Sequence, residues 1–390
     1  MDDPYSAPES LLAFDIGSIH TRAMLFDVAG DRYHFVAQGR AQTTAGAPYF
    51  DIGEGCRLAV DELEKISGRV LVSKDDRLIL PAQPDGSGVD ALVSTLSAGE
   101  AVSAVAVGLL EEVSLESARR LIGSTYARLA ESIGLNDRRP TEIQIDAIIQ
   151  ARPDVIVVAG GTEHGAARSI TRVLEMVGLA SYLIPAGKRP VLLYAGNQEV
   201  AARVKGQFET MQVVRTAPNI RPGFDHEDLG PAQNCLAEIV QKIRASRLAG
   251  MAELTNLSNG HSYPAAQAFG RMVRFLSKVY DSDKGVLGID LGASSTVIAA
   301  AISGNLSLSV QTPLGMGAGL AGIAGRVDPA EISQWLPFQV SAEDVEDYLQ
   351  QKIAASATLP ESMEDQMLEE AVARVVIRRA LSSLTPPPSG

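Results

Sequence analysis

Asp15 and Asp290 each close an apolar run, and each is followed two positions on by a glycine and then by small or hydroxyl-bearing residues. The first stretch reads Asp15-Ile16-Gly17-Ser18-Ile19-His20-Thr21-Arg22, and the second Asp290-Leu291-Gly292-Ala293-Ser294-Ser295-Thr296. A turn rich in glycine and hydroxyls lets backbone N–H groups approach phosphate oxygens closely. A carboxylate at the strand end suits magnesium bound through water, because Mg²⁺ keeps several of its waters. Set face to face, two such turns would grip a nucleotide's phosphates from both sides. The alternative for each copy is an ordinary hairpin with glycine at its bend, and it is the repetition that favours the phosphate reading.

Two further glycine-rich turns are candidates. Ala159-Gly160-Gly161-Thr162 follows an apolar strand and precedes a helix, the place where a parallel sheet meets ligands. Gly160 and Gly161 there serve either a ligand or a tight strand-to-helix turn. Gly315-Met316-Gly317-Ala318-Gly319-Leu320-Ala321-Gly322 contains a G-x-G-x-x-G match. A dinucleotide fingerprint also needs a βαβ unit and an acidic residue at a strand end, and Glu343 falls in a helical stretch. Gly315 and Gly317 are instead expected to shape the nucleotide cleft or to let a helix pack closely. The histidines (His20, His34, His164, His226, His261) show no ligand spacing; His20, inside the first turn, is placed to touch a ligand.

Elements must hold these turns in place. Residues 11–16, 23–28 and 33–38 read as a meander of three strands, and 286–289, 297–301 and 306–311 as a second. Residues 46–63 end in a helix, and 69–73 with 77–80 form a hairpin. Between the meanders, strands are expected at 101–109, 153–158, 190–195 and 211–215, and helices at 114–133, 140–150, 165–177 and 198–208. The alternation from 155 to 215 predicts a parallel, doubly wound sheet. Helices are expected at 231–248, 262–280, 328–335, 341–354 and 362–384, with 385–390 a proline-rich linker. The organisation expected is 1–100, 101–280 and 281–390.

The net charge of −13 disfavours binding to nucleic acid. No apolar run reaches the roughly 20 residues that span a bilayer, and the acidic N-terminus is unlike a signal peptide. The two cysteines, Cys56 and Cys235, have no paired spacing and suit a reducing compartment. The expectation is a soluble, cytoplasmic protein.

The paired Asp-x-Gly signature resembles the actin, Hsp70 and sugar-kinase superfamily. More narrowly, the chain is similar to the glutamate mutase-associated MutL/GlmL family, through Val107-Gly108-Leu109, Pro153 to Thr162, Tyr194-Ala195-Gly196-Asn197, Asn219-Ile220-Arg221-Pro222 and Leu314-Gly315-Met316-Gly317. The resemblance implies an α/β fold, with actin-like (ribonuclease H-like) ATPase domains and an inserted doubly wound parallel region. It implies ATP and Mg²⁺ as cofactors, and an adenosylcobalamin-dependent mutase as partner. The chain would act as a reactivating chaperone that loosens the mutase and releases damaged cobalamin. Two departures stand out. Thr21-Arg22 replaces the family's usual Thr-Lys, and Ile19 replaces a hydroxyl residue. Further, no strand with Gly-Gly follows Thr296, so the adenosine segment of the superfamily is expected to be missing.

On this reading Asp15 and Asp290 position magnesium at the catalytic centre. Gly17, Ser18, Thr21, Gly292, Ala293, Ser294 and Ser295 hold phosphates. A non-catalytic scaffold and a small-molecule kinase of the same superfamily are the competing readings. The sequence leaves open hydrolysis against mere binding, and the oligomeric state, a homo-oligomer included.

Overall fold

The computed structural model describes residues 8–163, 165, 167–281 and 284–382. The acidic N-terminus, His164 and the proline-rich stretch 385–390 lie outside the described residues. In chain order come β1 (Ser10–Ile16), β2 (His20–Ala29), β3 (Arg32–Gln42), α1 (Gly53–Ser67) and β4 (Ala91–Leu96). Next are β5 (Val102–Val107), α2 (Glu116–Gly123), β6 (Ala127–Ile133), α3 (Thr141–Ala151), β7 (Val155–Val158) and α4 (Ala167–Leu183). Then follow β8 (Val191–Tyr194), α5 (Gln198–Phe208), β9 (Val214–Thr216), α6 (Gly230–Ala245) and α7 (Met251–Leu257). The remaining elements are β10 (Ser262–Pro264), α8 (Ala265–Val279), β11 (Val286–Leu291), β12 (Thr296–Ile302), β13 (Asn305–Gln311), α9 (Ala330–Ser333), α10 (Ala342–Ala354) and α11 (Met363–Ser382). The chain divides into two compact units, one of Met1–Glu100 with Arg244–Lys284 and the other of Ala101–Ile243 with Gly285–Gly390.

The first unit is built on a sheet of order β10-β4-β1-β2-β3. β1, β2 and β3 run antiparallel, while β4 lies parallel to β1 and β10 parallel to β4. This is the ribonuclease H-like arrangement. Leu12, Phe14 and Ile16 alternate along β1 and are at most 2% exposed, so one face of the strand is core. α1 lays Ala59, Val60 and Leu63 on that face. Gly39 permits the approach, since a Cβ there would stand 2.0 Å from the Ala59 carbonyl oxygen. β4 and α7 escaped the sequence reading. The helix expected over 262–280 begins only at Ala265, because residues 262–264 extend the sheet. Ser94 and Ser262 share a hydroxyl hydrogen bond of 2.8 Å there, and Pro264 ends the strand and opens the helix.

The second unit holds two sheets. The larger is wholly parallel, in the order β6-β5-β7-β8-β9. Its strands β7 and β8 are buried on both faces, as helix-covered parallel strands are. The doubly wound expectation therefore holds and extends to β5 and β6. The helix expected over 114–133 is corrected: it stops at Gly123, and β6 follows as an edge strand with exposed Arg128 and Leu129. The smaller sheet is the antiparallel meander β11-β12-β13. A core of Leu320, Ile332, Val345, Leu349, Val372 and Val375 joins α9, α10 and α11 in the same unit. Among the described residues no helix is long and apolar enough to cross a membrane.

Candidate functional site

The turn between β1 and β2 is closed by one backbone bond, from the Gly17 amide to the His20 carbonyl at 2.9 Å. A Cβ on Gly17 would sit 2.9 Å from that same oxygen, so the closure needs glycine. The hairpin register sets Ile16 opposite Thr21 and Asp15 opposite Arg22. Ser18 is exposed at the tip. The turn is held from both sides: Ser97 and Ala98 donate to the Ile16 carbonyl, and Thr43 donates to that of Ile19. Arg244, 3% exposed, in turn donates to the carbonyls of Ser97, Ala98 and Gly99. Neither Arg244 nor Thr43 was singled out from the sequence.

Both carboxylate oxygens of Asp15 have a side-chain donor. Its Oδ1 accepts from Thr95 Oγ1 at 2.9 Å and its Oδ2 from Arg22 Nη1 at 2.7 Å. Thr21 is 1% exposed, and its hydroxyl meets that of Thr43 at 3.3 Å beneath α1. Burial together with the neighbouring Arg40 and Arg22 charges lowers the pKa of His20 below its ordinary value.

The turn between β11 and β12 repeats this construction. The Gly292 amide donates to the Ser295 carbonyl at 3.0 Å, and a Cβ on Gly292 would meet that oxygen at 2.9 Å. Here Leu291 pairs with Thr296 and Asp290 with Val297. Position for position, Ser18 corresponds to Ala293, Ile19 to Ser294, His20 to Ser295, Thr21 to Thr296 and Arg22 to Val297. Asp290 is exposed at the strand end, and Ala293 and Ser294 are partly exposed at the tip. Ser295 is buried at 6%, and buried Thr296 donates to the Leu314 carbonyl at 2.8 Å.

The glycine loop over 315–322 is packed onto this second turn. The Met316 amide donates to the Gly292 carbonyl, and the Gly317 and Gly319 amides donate to that of Ala293. A Cβ on Gly315 would lie 2.6 Å from the Gly292 oxygen, and one on Gly319 2.8 Å from the Ser294 oxygen. A Cβ on Gly317 would lie 2.9 Å from the Ser356 Cβ. The fingerprint-like spacing thus serves close backbone approach, and a short 3₁₀ turn, not a βαβ helix, follows it. Gly315 and Gly317 shape the second turn from behind.

Gly160 and Gly161 sit where the parallel sheet reverses its strand order, at the carboxyl ends of β5 and β7. Both are buried, with φ of +138° and +76°. A Cβ on Gly160 would strike the Leu109 side chain at 2.9 Å, and Leu109 itself is 6% exposed. The Gly160 carbonyl accepts from the Asn197 amide, and the Gly161 carbonyl from Asn219 Nδ2 at 2.9 Å. Close packing against Leu109 and a positive φ call for glycine at 160, and a positive φ favours it at 161. Nearby, buried Arg221 donates to Ser117 Oγ at 2.8 Å, and Glu227 binds Ser117 and Arg120. That network ties the loop after β9 to α2.

Among the described residues, no group of three or more His, Cys, Asp or Glu is arranged to hold a metal.

No curated protein matches the chain. Among solved structures, an Aquifex aeolicus Ppx/GppA family member is 9% identical, with TM-score 0.24, covering 96% of this chain and 92% of that one. A glycerol dehydratase reactivase is 11% identical, with TM-score 0.28 and coverages of 83% and 76%. Xylulose kinase from Bifidobacterium adolescentis is 12% identical, with TM-score 0.24 and coverages of 85% and 70%. Scores this low transfer no property to the chain. Sequence decides the matter: the family model described as MutL protein matches residues 11–383, nearly the whole chain, and the chain belongs to that family.

Proposed function

We propose that the chain is an ATP-binding, actin-like protein that reactivates an adenosylcobalamin-dependent mutase of the glutamate mutase type. One observation carries the nucleotide part. Two turns far apart in sequence share a strand-end carboxylate, a glycine closure and one hairpin register, and each offers backbone amides at its tip. Gly17 and Ser18 in the first turn, and Gly292, Ala293 and Ser294 in the second, are the residues proposed to meet phosphates. Thr21 and Ser295, being buried, support these turns from within. Family membership supports the mutase part.

The donor chemistry of the second turn fits magnesium: Asp290 is an exposed carboxylate at a strand end. Bound there with phosphate, the ion would neutralise phosphate charge. The remaining work falls to the chain. Tip amides orient the phosphates, and the glycine loop behind Gly292 and Ala293 fixes the second turn so that little reorganisation accompanies binding. Binding to the folded state alone raises stability by mass action, which is how nucleotide would favour one conformation over another.

The test is recovery of a mutase stalled by damaged cobalamin. With the chain, ATP, magnesium and fresh coenzyme, turnover should return and the damaged cobalamin should appear in the filtrate. Omission of ATP, or Asp290→Ala, should suppress both. Recovery that is indifferent to ATP would remove the nucleotide from the mechanism, and no recovery with any mutase of this class would remove the reactivase.

A further inference from the structure

A cavity of about 380 Å³ opens in the first unit, lined by residues between Gly68 and Ser87 and by neither glycine-closed turn. One wall is the hairpin over residues 69–80. The Ser73 amide donates to the Arg77 carbonyl at 2.8 Å, and Val72 bridges to Leu78 across it. The other wall is the loop that leads into β4. Two backbone bonds join the walls, from the Gly88 amide to the Val70 carbonyl at 2.8 Å and from the Val89 amide to the Ile79 carbonyl at 3.1 Å. Gly88 has φ of +78°, and a Cβ on it would stand 2.5 Å from the Ile79 carbonyl oxygen. The walls therefore meet through a glycine that holds them close together.

The lining divides by chemistry. Val70, Val72 and Ile79 supply an aliphatic surface, and Val70 is left 55% exposed by its own fold. Lys74 and Asp85 bring opposite charges to the same cavity, yet among the described residues neither makes an ion pair. The carboxylate is nevertheless fixed in place. Asp85 Oδ1 accepts from the Ser87 amide at 2.9 Å and from Ser87 Oγ at 2.6 Å, which leaves Oδ2 as a further acceptor. Those two bonds hold the Asp85 carboxyl below its ordinary pKa, so it is charged at neutral pH. Ser73 Oγ accepts from the Arg77 amide at 3.3 Å and keeps its own proton to donate. Arg69, also in the lining, already donates through Nη1 to Asp27 Oδ1 at 2.7 Å.

We propose that this cavity binds a small zwitterion, an α-amino acid with an aliphatic side chain. Lys74 meets the carboxylate with help from the Ser73 hydroxyl, Asp85 Oδ2 accepts from the ammonium, and Val70, Val72 and Ile79 receive the side chain. The volume lies toward the small end of ligand sites, which run from about 300 to 1,000 Å³ and combine apolar walls with a few polar groups. The charges narrow the class further. A simple anion would leave Asp85 facing like charge, and a simple cation would leave Lys74 doing so. A molecule that carries both charges satisfies both residues with charge-assisted hydrogen bonds. No lining residue is aromatic, which suits an aliphatic side chain better than a flat ring. The inference stands apart from the nucleotide reading, since it uses none of the same residues.

The experiment is titration calorimetry of L-leucine into the full chain, with saturation-transfer NMR of the ligand as a second readout. Circular dichroism melting shows that each variant is folded. L-Leucine should bind saturably. Isocaproate, which lacks the ammonium, and isoamylamine, which lacks the carboxylate, should each bind about tenfold more weakly, the scale of one lost charge-assisted hydrogen bond. Lys74→Gln should weaken L-leucine by a similar factor and leave isoamylamine unchanged. Asp85→Asn should weaken L-leucine likewise and leave isocaproate unchanged, because asparagine keeps the acceptor that Ser87 uses. A folded, unmodified chain that takes up no L-leucine at millimolar concentration would overturn the proposal. Equal affinity for L-leucine, isocaproate and isoamylamine would do the same, as would L-leucine binding that neither substitution alters.

Discussion

Replacing Gly315 by alanine tests whether the glycine loop builds the second turn. The new Cβ would lie 2.6 Å from the Gly292 carbonyl oxygen and 2.8 Å from the carbonyl carbon and oxygen of Ala293. All three atoms are backbone, so no side chain can rotate away. Forcing an extra carbon into such packing costs about 1–3 kcal/mol. Separation of the loop also endangers the bonds from Met316 to Gly292 and from Gly317 to Ala293, at about 1 kcal/mol each. The sum is about 3–5 kcal/mol, confined to the second unit. The single tryptophan, Trp335, reports on that unit, so urea unfolding followed by its fluorescence is the assay. Hydrogen exchange over 290–320 should locate the loosening. Gly46→Ala is the control, since nothing lies within 4 Å of its added Cβ, and it should change stability by no more than about 0.5 kcal/mol. A Gly315→Ala protein as stable as Gly46→Ala, with unchanged exchange at 290–296, would refute the reasoning.

Arg244→Ala should destabilise the first unit by about 3 kcal/mol, because it strips a buried donor from the carbonyls of Ser97, Ala98 and Gly99; hydrogen exchange over 95–99 would register it. Alkylation at mildly alkaline pH should label Cys235 well before Cys56, since burial pushes the Cys56 thiol up to about 12; equal labelling rates would contradict the packing around α1. The pKa of His20 is lowered by burial and by Arg40 and Arg22, so the unfolded chain takes up this proton first as pH falls through 6.5. Acidification in that window should cost stability, His20→Gln should flatten the slope, and imidazole NMR should place the midpoint below the ordinary value.

Both phosphate-type turns were legible in the sequence because they are local: an apolar strand, an acid, a glycine and a returning strand specify a hairpin without outside help. The pairing of Asp15 with Arg22 was not drawn from the sequence, although a hairpin that turns over residues 17–20 sets these positions opposite each other. What stayed hidden was set by distant partners. β10 is a strand only because β4 lies beside it, and its residues are otherwise compatible with the start of α8. β6 carries Arg128 and Glu131 among its apolar positions, a mixture that reads as helix until the edge of a parallel sheet claims it. Gly160, in a turn open to either a ligand or a tight strand-to-helix reading, has Leu109 where a Cβ would stand, and Gly315 and Gly317, expected to shape a cleft or admit a helix, have the backbone of the second turn and Ser356 there. Glycine marks close approach, and the neighbour that approaches is visible only in three dimensions.

The central claim, that these turns bind a nucleotide's phosphates, is tested most directly by titration calorimetry of ATP with magnesium into the unmodified chain. A saturable, stoichiometric complex that Asp290→Ala weakens and that raises the melting temperature in step with affinity is the predicted result. A folded chain that takes up no ATP at millimolar concentration would contradict it.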